Sequence, residues 1–321
     1  MAVIFSYELD EQSTGRELFG DDIRQMLKDD RLAWVHLDLN SPTILAWLSE
    51  NVGYLGTPLL SALLAEETRP RVSVYKDGLL MILRSVNQNS GSNPEDMVSI
   101  RLWIDSHRII SVQKRASKAV EELCEDIRSG SAPKNSAEFI DQLLLKLLKE
   151  ASAEIETRVI AVDDIEDEIF ETGKVQAVEK ISLERRKNII LQRFIRPQKD
   201  VIQQIHNSHV GWINTEKQTS YYEIYQGYLR LSEELELNNE RLRLSDDEVA
   251  KQTQERLNRN LYRISVLSAI FLPLGFLTGL LGVNIGGMPG VSSSYAFGFF
   301  CFLLLLVLSF QLYLMRKFRW L

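Results

Sequence analysis

The chain has 321 residues, of which 25% are charged, and its 44 acidic against 37 basic side chains leave a formal net charge of −7. That balance, with no basic stripe interleaved with aromatics, argues against nucleic acid as a partner. The near-neutral mean hydropathy of −0.11 averages two unlike regions, because residues 264–315 contain no Asp, Glu, Lys, Arg or His.

Residues 1–130 read as a mixed α and β domain. No signal peptide is expected, since residues 1–10 reach Glu8 and Asp10 without a sustained apolar core. Short strands are expected at 3–9 and 33–39, and helices at 15–28 and 43–49, the second opened by Ser41-Pro42. Strands at 72–75 and 79–86 flank Asp77-Gly78, a hairpin turn signal. A second hairpin, 97–104 with 108–112, turns at Asp105-Ser106. No Walker A loop, no Gly-x-Gly-x-x-Gly after a strand and no His-Glu-x-x-His occurs, so no enzymatic site is expected. Cys124 and Cys301 are the only cysteines and fall in different regions, which suggests neither a disulfide framework nor a cysteine zinc site.

Residues 131–215 carry helical periodicity. Segments 137–171 and 175–195 flank Thr172-Gly173 and are expected to form an antiparallel helical hairpin. Near its tip lie Asp163, Asp164, Glu166, Asp167, Glu168 and Glu171; a solvated helix end partly paired with Lys174, Lys180 and Arg185 is preferred there over a role in metal handling. His206 and His209 have a spacing that can place two imidazoles on a metal, but no third ligand is nearby. His36 in a strand and His107 at a turn are better explained locally. After Gly211-Trp212 the chain has no proline until Pro273, and Gly227 is the only glycine before Gly275. A long stalk helix, 216–263, is therefore expected to start near Lys217 and run into the membrane, spanning roughly 100 Å with it at 1.5 Å per residue.

Segments 264–282 and 295–314 each supply about the ~20 residues a helix needs to cross a bilayer. They are joined by an uncharged loop, 283–294, rich in Gly and Ser. Arg256, Arg259 and Arg263 precede the first span and Arg316, Lys317 and Arg319 follow the second, which places both termini in the cytoplasm and the chain in the inner (plasma) membrane. In the first span Ser265, Ser268, Leu272, Gly275, Gly279 and Gly282 share one helix face. Such a face serves either close packing of helices or the lining of a pore shared by several copies. Two helices cannot enclose a pore, so a channel requires a ring of identical subunits. Stepping back by sevens from Gly282 passes Gly275, Ser268, Leu261, Gln254, Asp247, Glu240 and Glu233, so the face is expected to continue as an acidic, cation-meeting funnel. A strict seven drifts by about 20° per heptad, which weakens that alignment with distance.

Gly282-Val283-Asn284, followed by Met288-Pro289-Gly290, resembles the Gly-x-Asn signature and Met-Pro loop of the CorA superfamily of divalent cation transporters. Trp34-Val35-His36-Leu37-Asp38-Leu39 and Glu67-Thr68-Arg69-Pro70-Arg71 resemble weaker patterns of its soluble domain, extending the likeness over nearly the whole chain. Magnesium-transporting members usually have Met within the Gly-x-Asn and Glu after the Met-Pro; here those places are Val283 and Gly290. The loop looks like that of the ZntB branch, whose implied activity is zinc transport. The resemblance implies a homopentamer in membrane lipid with no bound cofactor, taking up Zn²⁺ through an axial pore, with Cd²⁺, Ni²⁺, Co²⁺ and Mg²⁺ as the further candidate ions. Gly282, Val283 and Asn284 would form its mouth. Asn284 amide oxygens would accept hydrogen bonds from the ion's hydration water, and Leu272 and Leu261 would gate by excluding water. The alternatives are a CorA-type Mg²⁺/Co²⁺/Ni²⁺ transporter and a non-conducting, membrane-anchored oligomeric sensor or scaffold. With no titratable carboxylate, imidazole or amine in 264–315, pH dependence is expected to arise from water in the pore or from carboxylates outside the membrane, Asp247 and Glu240 first.

Overall fold

A computed structural model describes residues 2–10, 15–29, 31–66, 68–172, 177–208, 210–283, 290 and 293–318. The chain divides into two compact units, Met1–Asp246 and Asp247–Leu321. The first is an α+β unit built on a seven-stranded sheet in the order β2-β1-β3-β7-β6-β5-β4. The strands are β1 (Val3–Leu9), β2 (Gly15–Glu17), β3 (Ala33–Asp38), β4 (Arg71–Tyr75), β5 (Gly78–Ser85), β6 (Val98–Ile104) and β7 (Arg108–Gln113). Neighbours are antiparallel except β3 and β7, which run parallel.

Both faces of the sheet are covered. Leu80, Trp103, Val35 and Ile110 pack with α1 (Asp21–Met26), α2 (Ile44–Val52) and α3 (Thr57–Leu64). Leu79, Met81, Leu83 and Ile100 pack on the other side with α4 (Lys118–Arg128), α5 (Ser136–Thr172), α6 (Ala177–His206) and the start of α7 (Thr215–Leu281). Strands buried on both faces read as continuous apolar runs, which is why β6 is buried at every position. The segments read separately as 1–130 and 131–215 thus share one core.

Several sequence expectations shift. The helix expected at 15–28 is confined to α1, because Gly15–Glu17 pairs with Tyr7–Leu9 as an edge strand. Ser6 and Leu18 hold that edge through two further bonds of 2.9 Å, and Gly20, at φ 54, turns the chain into the helix. The first hairpin turns at Lys76-Asp77 rather than Asp77-Gly78, since Tyr75 pairs with Gly78 and Lys76 takes the positive φ of 53. Gly78 is required for another reason: a Cβ there would stand 2.8 Å from the Ile104 carbonyl oxygen. The second hairpin is as expected, its Asp105 carboxylate accepting the His107 and Arg108 amides at 2.9 and 2.8 Å.

The second helix of the hairpin region runs past the expected 195 and through Pro197 to His206. Packing against the sheet outweighs the lost hydrogen bond, and the next residue shows how. Gln198 Oε1 accepts the Arg84 amide at 2.6 Å, while Nε2 donates to the Arg84 carbonyl at 3.0 Å and to Tyr228 Oη at 2.7 Å. One side-chain amide continues the ladder where β4 stops opposite Ile82. The hairpin tip at Gly173 lies outside the described residues. The second unit consists of the remainder of α7 and α8 (Ala296–Lys317), and both helices contain a stretch long and apolar enough to cross a membrane.

His36 lies in β3 at 0% exposure, stacked on Phe5 with ring centroids 4.7 Å apart. The indole of Trp34 donates to Ser111 Oγ at 2.7 Å, and His36 Nδ1 shares a hydrogen bond with the same hydroxyl at 2.7 Å. Burial, chiefly, holds the His36 pKa down at about 4 against an ordinary 6.5. The unfolded chain therefore takes up a proton first on acidification. The stabilising contribution is full above pH 6.5 and is lost as pH falls toward 4, by about 3 kcal/mol at most. His36→Leu should flatten this acid loss of stability, measured as melting temperature against pH on the purified full-length protein; an unchanged slope in a folded variant would remove His36 as its source.

Candidate functional site

In the second unit, the two faces of α7 are treated differently. Val266, Ala269, Ile270, Pro273, Leu274 and Leu277 are half-covered, whereas Leu261, Ser265, Ser268, Leu272, Gly275, Gly279 and Gly282 are exposed. The covered face is the one that meets α8, where Ala269 lines a hollow with Gln311, Leu314 and Met315. The small-residue stripe therefore points away from α8. Leu272 is 73% exposed, the most open of the large side chains on the stripe.

The glycines sharpen this. A Cβ added at Gly275 or Gly279 would meet nothing within 4 Å, so no close approach among the described residues calls for glycine. A helix-interior glycine costs about 1 kcal/mol relative to alanine, and no contact among the described residues offsets that cost. Ser265 Oγ donates back to the Leu261 carbonyl at 2.9 Å and Thr278 Oγ1 to that of Gly275 at 3.0 Å. Both hydroxyl protons are used, which leaves the oxygens as acceptors. Gly282 ends the helix, its amide reaching the Thr278 carbonyl at 2.9 Å. Val283 is half exposed, and Asn284 lies outside the described residues.

Gln311 is a residue that sequence reasoning passed over. Pro273 has no N–H, so the carbonyl four residues earlier, that of Ala269, loses its helical partner. Gln311 Nε2 of α8 donates to this carbonyl oxygen at 3.4 Å. In lipid an unsatisfied carbonyl costs several kcal/mol. The signal was present: a proline in one apolar run and the only side-chain amide in the other.

The carboxylates expected to form a funnel are exposed as well. Glu233 and Glu240 of the first unit lie off the face of α7 that buries Leu231, Leu235 and Leu242, and Asp247 of the second unit is exposed too. Glu240 is 3.8 Å from Arg243. Successive members are a full seven residues apart along the helix, and among the described residues no group of three or more His, Cys, Asp or Glu could hold a metal. The acidic run on α5 is partly neutralised: Glu168 pairs with Lys180, and Asp163 and Glu166 with Arg241 of α7. Those carboxylates raise the pKa of Arg241, chiefly through the Glu166 hydrogen bond. Arg241 was not among the partners expected from sequence, because only the packing of α7 on α5 brings it there. α6 ends at His206, whose Nδ1 meets the Gln218 carbonyl at 2.8 Å; His209 lies outside the described residues.

The model of the family described as CorA-like Mg²⁺ transporter protein matches residues 29–317. The chain belongs to this family. Among curated relatives, the divalent cation transporter CmaX of Pseudomonas aeruginosa is 33% identical over 99% of this chain and 97% of its own. The zinc transport protein ZntB of Yersinia enterocolitica is 30% identical over 99% and 96%. A solved structure of the full-length CmaX protein, 32% identical, superposes with a TM-score of 0.85 over 99% of this chain and 98% of that one. This CorA-like chain is a divalent cation transporter with two candidate transmembrane helices, and its family is one of transporters rather than enzymes.

The Pro273–Gln311 pair yields a prediction. Gln311→Leu should destabilise the CorA-like chain by about 1 kcal/mol, the scale of a hydrogen bond between membrane helices. In a Pro273→Ala background, where the helix recovers its own bond, the same change should cost little. Denaturant unfolding of the four proteins in detergent measures this; equal losses in both backgrounds would show that Gln311 acts otherwise.

Proposed function

We propose that this transporter carries Zn²⁺ into the cell through an axial pore in a homopentamer, with α7 lining the pore and the Gly282-Val283-Asn284 segment at its outer mouth. The observation that carries the reading is the exposed stripe with two glycines, Gly275 and Gly279, for which the described residues offer no neighbour. A path between several copies of α7 explains both the small residues and the acceptor oxygen left free at Ser265. The zinc assignment draws support from the ZntB relative and from Val283 and Gly290 in place of the Met and Glu expected of magnesium transporters.

The mechanism follows from what the path offers. Stripping water from a divalent ion is costly, and a ring of Asn284 amides provides neutral oxygens rather than the carboxylates or thiolates that bind it outright. The ion then enters with its hydration shell, its waters donating to those oxygens. Leu272, and Leu261 on the cytoplasmic side of it, close the path by dewetting. Glu233, Glu240 and Asp247 draw the cation inward. For a doubly charged ion an inside-negative potential contributes about 2 × 2.3 kcal/mol per 100 mV, so uptake needs no ATP. The protein sits in the inner membrane with both termini in the cytoplasm, as the arginines flanking the two spans favour.

Metal uptake by the purified protein in liposomes, with Zn²⁺, Cd²⁺, Ni²⁺, Co²⁺ and Mg²⁺ in competition, tests the cargo. Zn²⁺ uptake that excess Mg²⁺ leaves intact is expected, and a preference for Mg²⁺ would refute the zinc assignment. Asn284→Ala should abolish most flux while the oligomer stays assembled; unchanged flux in a correctly inserted variant sinks the mouth assignment.

The gate has its own test in the same liposomes. Leu272→Ser should raise the resting leak, and Leu272→Ala should do so less, because a polar ring wets more readily than a small apolar one. Loss of assembly without leak would instead place Leu272 in helix packing.

A further inference from the structure

The first unit contains a cluster of positive charge that cation transport does not use. Arg101 on β6 stands opposite Ile82, and Arg84 on β5 opposite Ser99, so the two arginines leave the sheet on the same face. Both line a solvent-open cavity of 560 Å³, together with Arg193 and Phe194 of α6. Arg101 is only 1% exposed. Among the described residues no carboxylate oxygen lies within 4 Å of either Arg84 or Arg101, although nineteen other ion pairs are present. Glu66, Glu95, Asp96, Lys114 and Arg115 also line the cavity.

The guanidiniums are held by neutral groups instead. Arg101 Nη2 donates to the Ala65 carbonyl at 2.8 Å, and Arg84 Nη1 to that of Met97 at 3.1 Å. Arg84 Nη2 reaches both the carbonyl and the hydroxyl of Thr68, and the Arg84 fork lies over the Phe194 ring, 4.8 Å from its centre. Thr68 belongs to the Glu67-Thr68-Arg69-Pro70-Arg71 motif, which the pore does not employ. Three donor nitrogens, Arg101 Nε and Nη1 and Arg84 Nε, are buried with no partner among the described residues. Burial, reinforced by the positive charges of Arg101 and Arg193, pushes the Arg84 pKa down to about 10. A buried cation without a counter-charge is unfavourable, and leaving its donors unused adds to that cost.

We propose that this cavity is a binding site for a phosphate group, held by the guanidiniums of Arg84, Arg101 and Arg193. Arg101 offers its Nε and Nη1, Arg84 its Nε, and Arg193 a planar fork to the phosphate oxygens. A dianion with several oxygens can serve three forks at once, whereas chloride offers no such geometry and a single carboxylate has only two oxygens. The same positive charge repels a divalent cation, so the cavity is not a stop on the cargo's route. A bound phosphate would join α6, through Arg193, to the sheet. Inorganic phosphate, a nucleotide and a phospholipid headgroup all present this chemistry.

The test is the melting temperature of purified full-length protein in detergent, with sodium phosphate against sodium chloride at matched ionic strength. Phosphate should raise it saturably and chloride should not. Arg101→Gln and Arg193→Gln should each weaken the apparent affinity by about tenfold or more, the loss of one charge-assisted bidentate contact. Without phosphate, Arg101→Gln should melt no lower than the wild type, because it removes an uncompensated buried cation, and an Arg101 that is purely structural predicts the opposite. Should Arg101→Gln fail to fold, the exposed Arg193→Gln still decides the matter. Stronger stabilisation by AMP than by phosphate assigns a nucleotide. Stabilisation only in phosphatidylcholine nanodiscs containing phosphatidic acid assigns a lipid headgroup. Equal responses to phosphate and chloride, silence from all three phosphate sources, or wild-type affinity in folded variants would overturn the proposal.

Discussion

Everything in the membrane unit depends on the demand that each backbone polar group be satisfied without water. A charge-free run meets it by coiling into a helix, in which every interior carbonyl finds an amide four residues on. Pro273 breaks that rule at one carbonyl, Ala269, and Gln311 of the second helix mends it. The repair fixes which face of α7 turns toward α8, and so which face is left over. The stripe through Ser265, Leu272 and Gly279 is the remainder of that choice, and its openness follows from the pairing on the other side.

The first unit obeys the same accounting with different means. Its sheet is covered on both faces, so polar groups at its margins must find partners in place. Gln198 does this for the backbone of Arg84 at the end of the β4 edge, and Ser111 does it for Trp34 and His36 inside the sheet. Arg84 and Arg101 are the exception, since carbonyls satisfy part of their donors and, among the described residues, no carboxylate pairs with their charge. The acidic patches of the chain differ again: the run on α5 is tied by Arg241 and Lys180, while Glu233 and Asp247 remain exposed.

Charge is thus sorted by task. The candidate path for a cation is neutral where the surroundings are apolar and acidic where water can screen and hydrate. The basic hollow of Arg84, Arg101 and Arg193 lies at the sheet, where a divalent ion gains nothing. Such sorting follows from the cost of moving unpaired charge out of water, which forbids fixed carboxylates along a narrow apolar passage and tolerates them on an exposed helix.

The spans, the long helix from Thr215, the hairpins and the small-residue face were legible in the sequence because each rests on periodicity or on local turn chemistry. Local signals misjudged residues 15–28, where pairing with Tyr7–Leu9 overrode helix propensity, and stopped α6 short of its end, where packing on the sheet carried it through Pro197. They could not have joined Arg241 to Glu166, Arg84 to Arg101, or Gln311 to the carbonyl that Pro273 frees. Those meetings lie between residues distant along the chain, and distance along the chain says nothing about which side chains share a space. The sequence by itself determined that a charge-free segment holds two stretches long and apolar enough to cross a membrane and carries one face of small residues, since hydrophobicity and helical repeat are properties of the chain alone. Only the tertiary structure decided that α8 covers the side of α7 with Ala269, Pro273 and Leu277 and leaves the small-residue face open together with Ile264, Leu267 and Phe271, because that depends on which carbonyl lacked a partner and which helix supplied it.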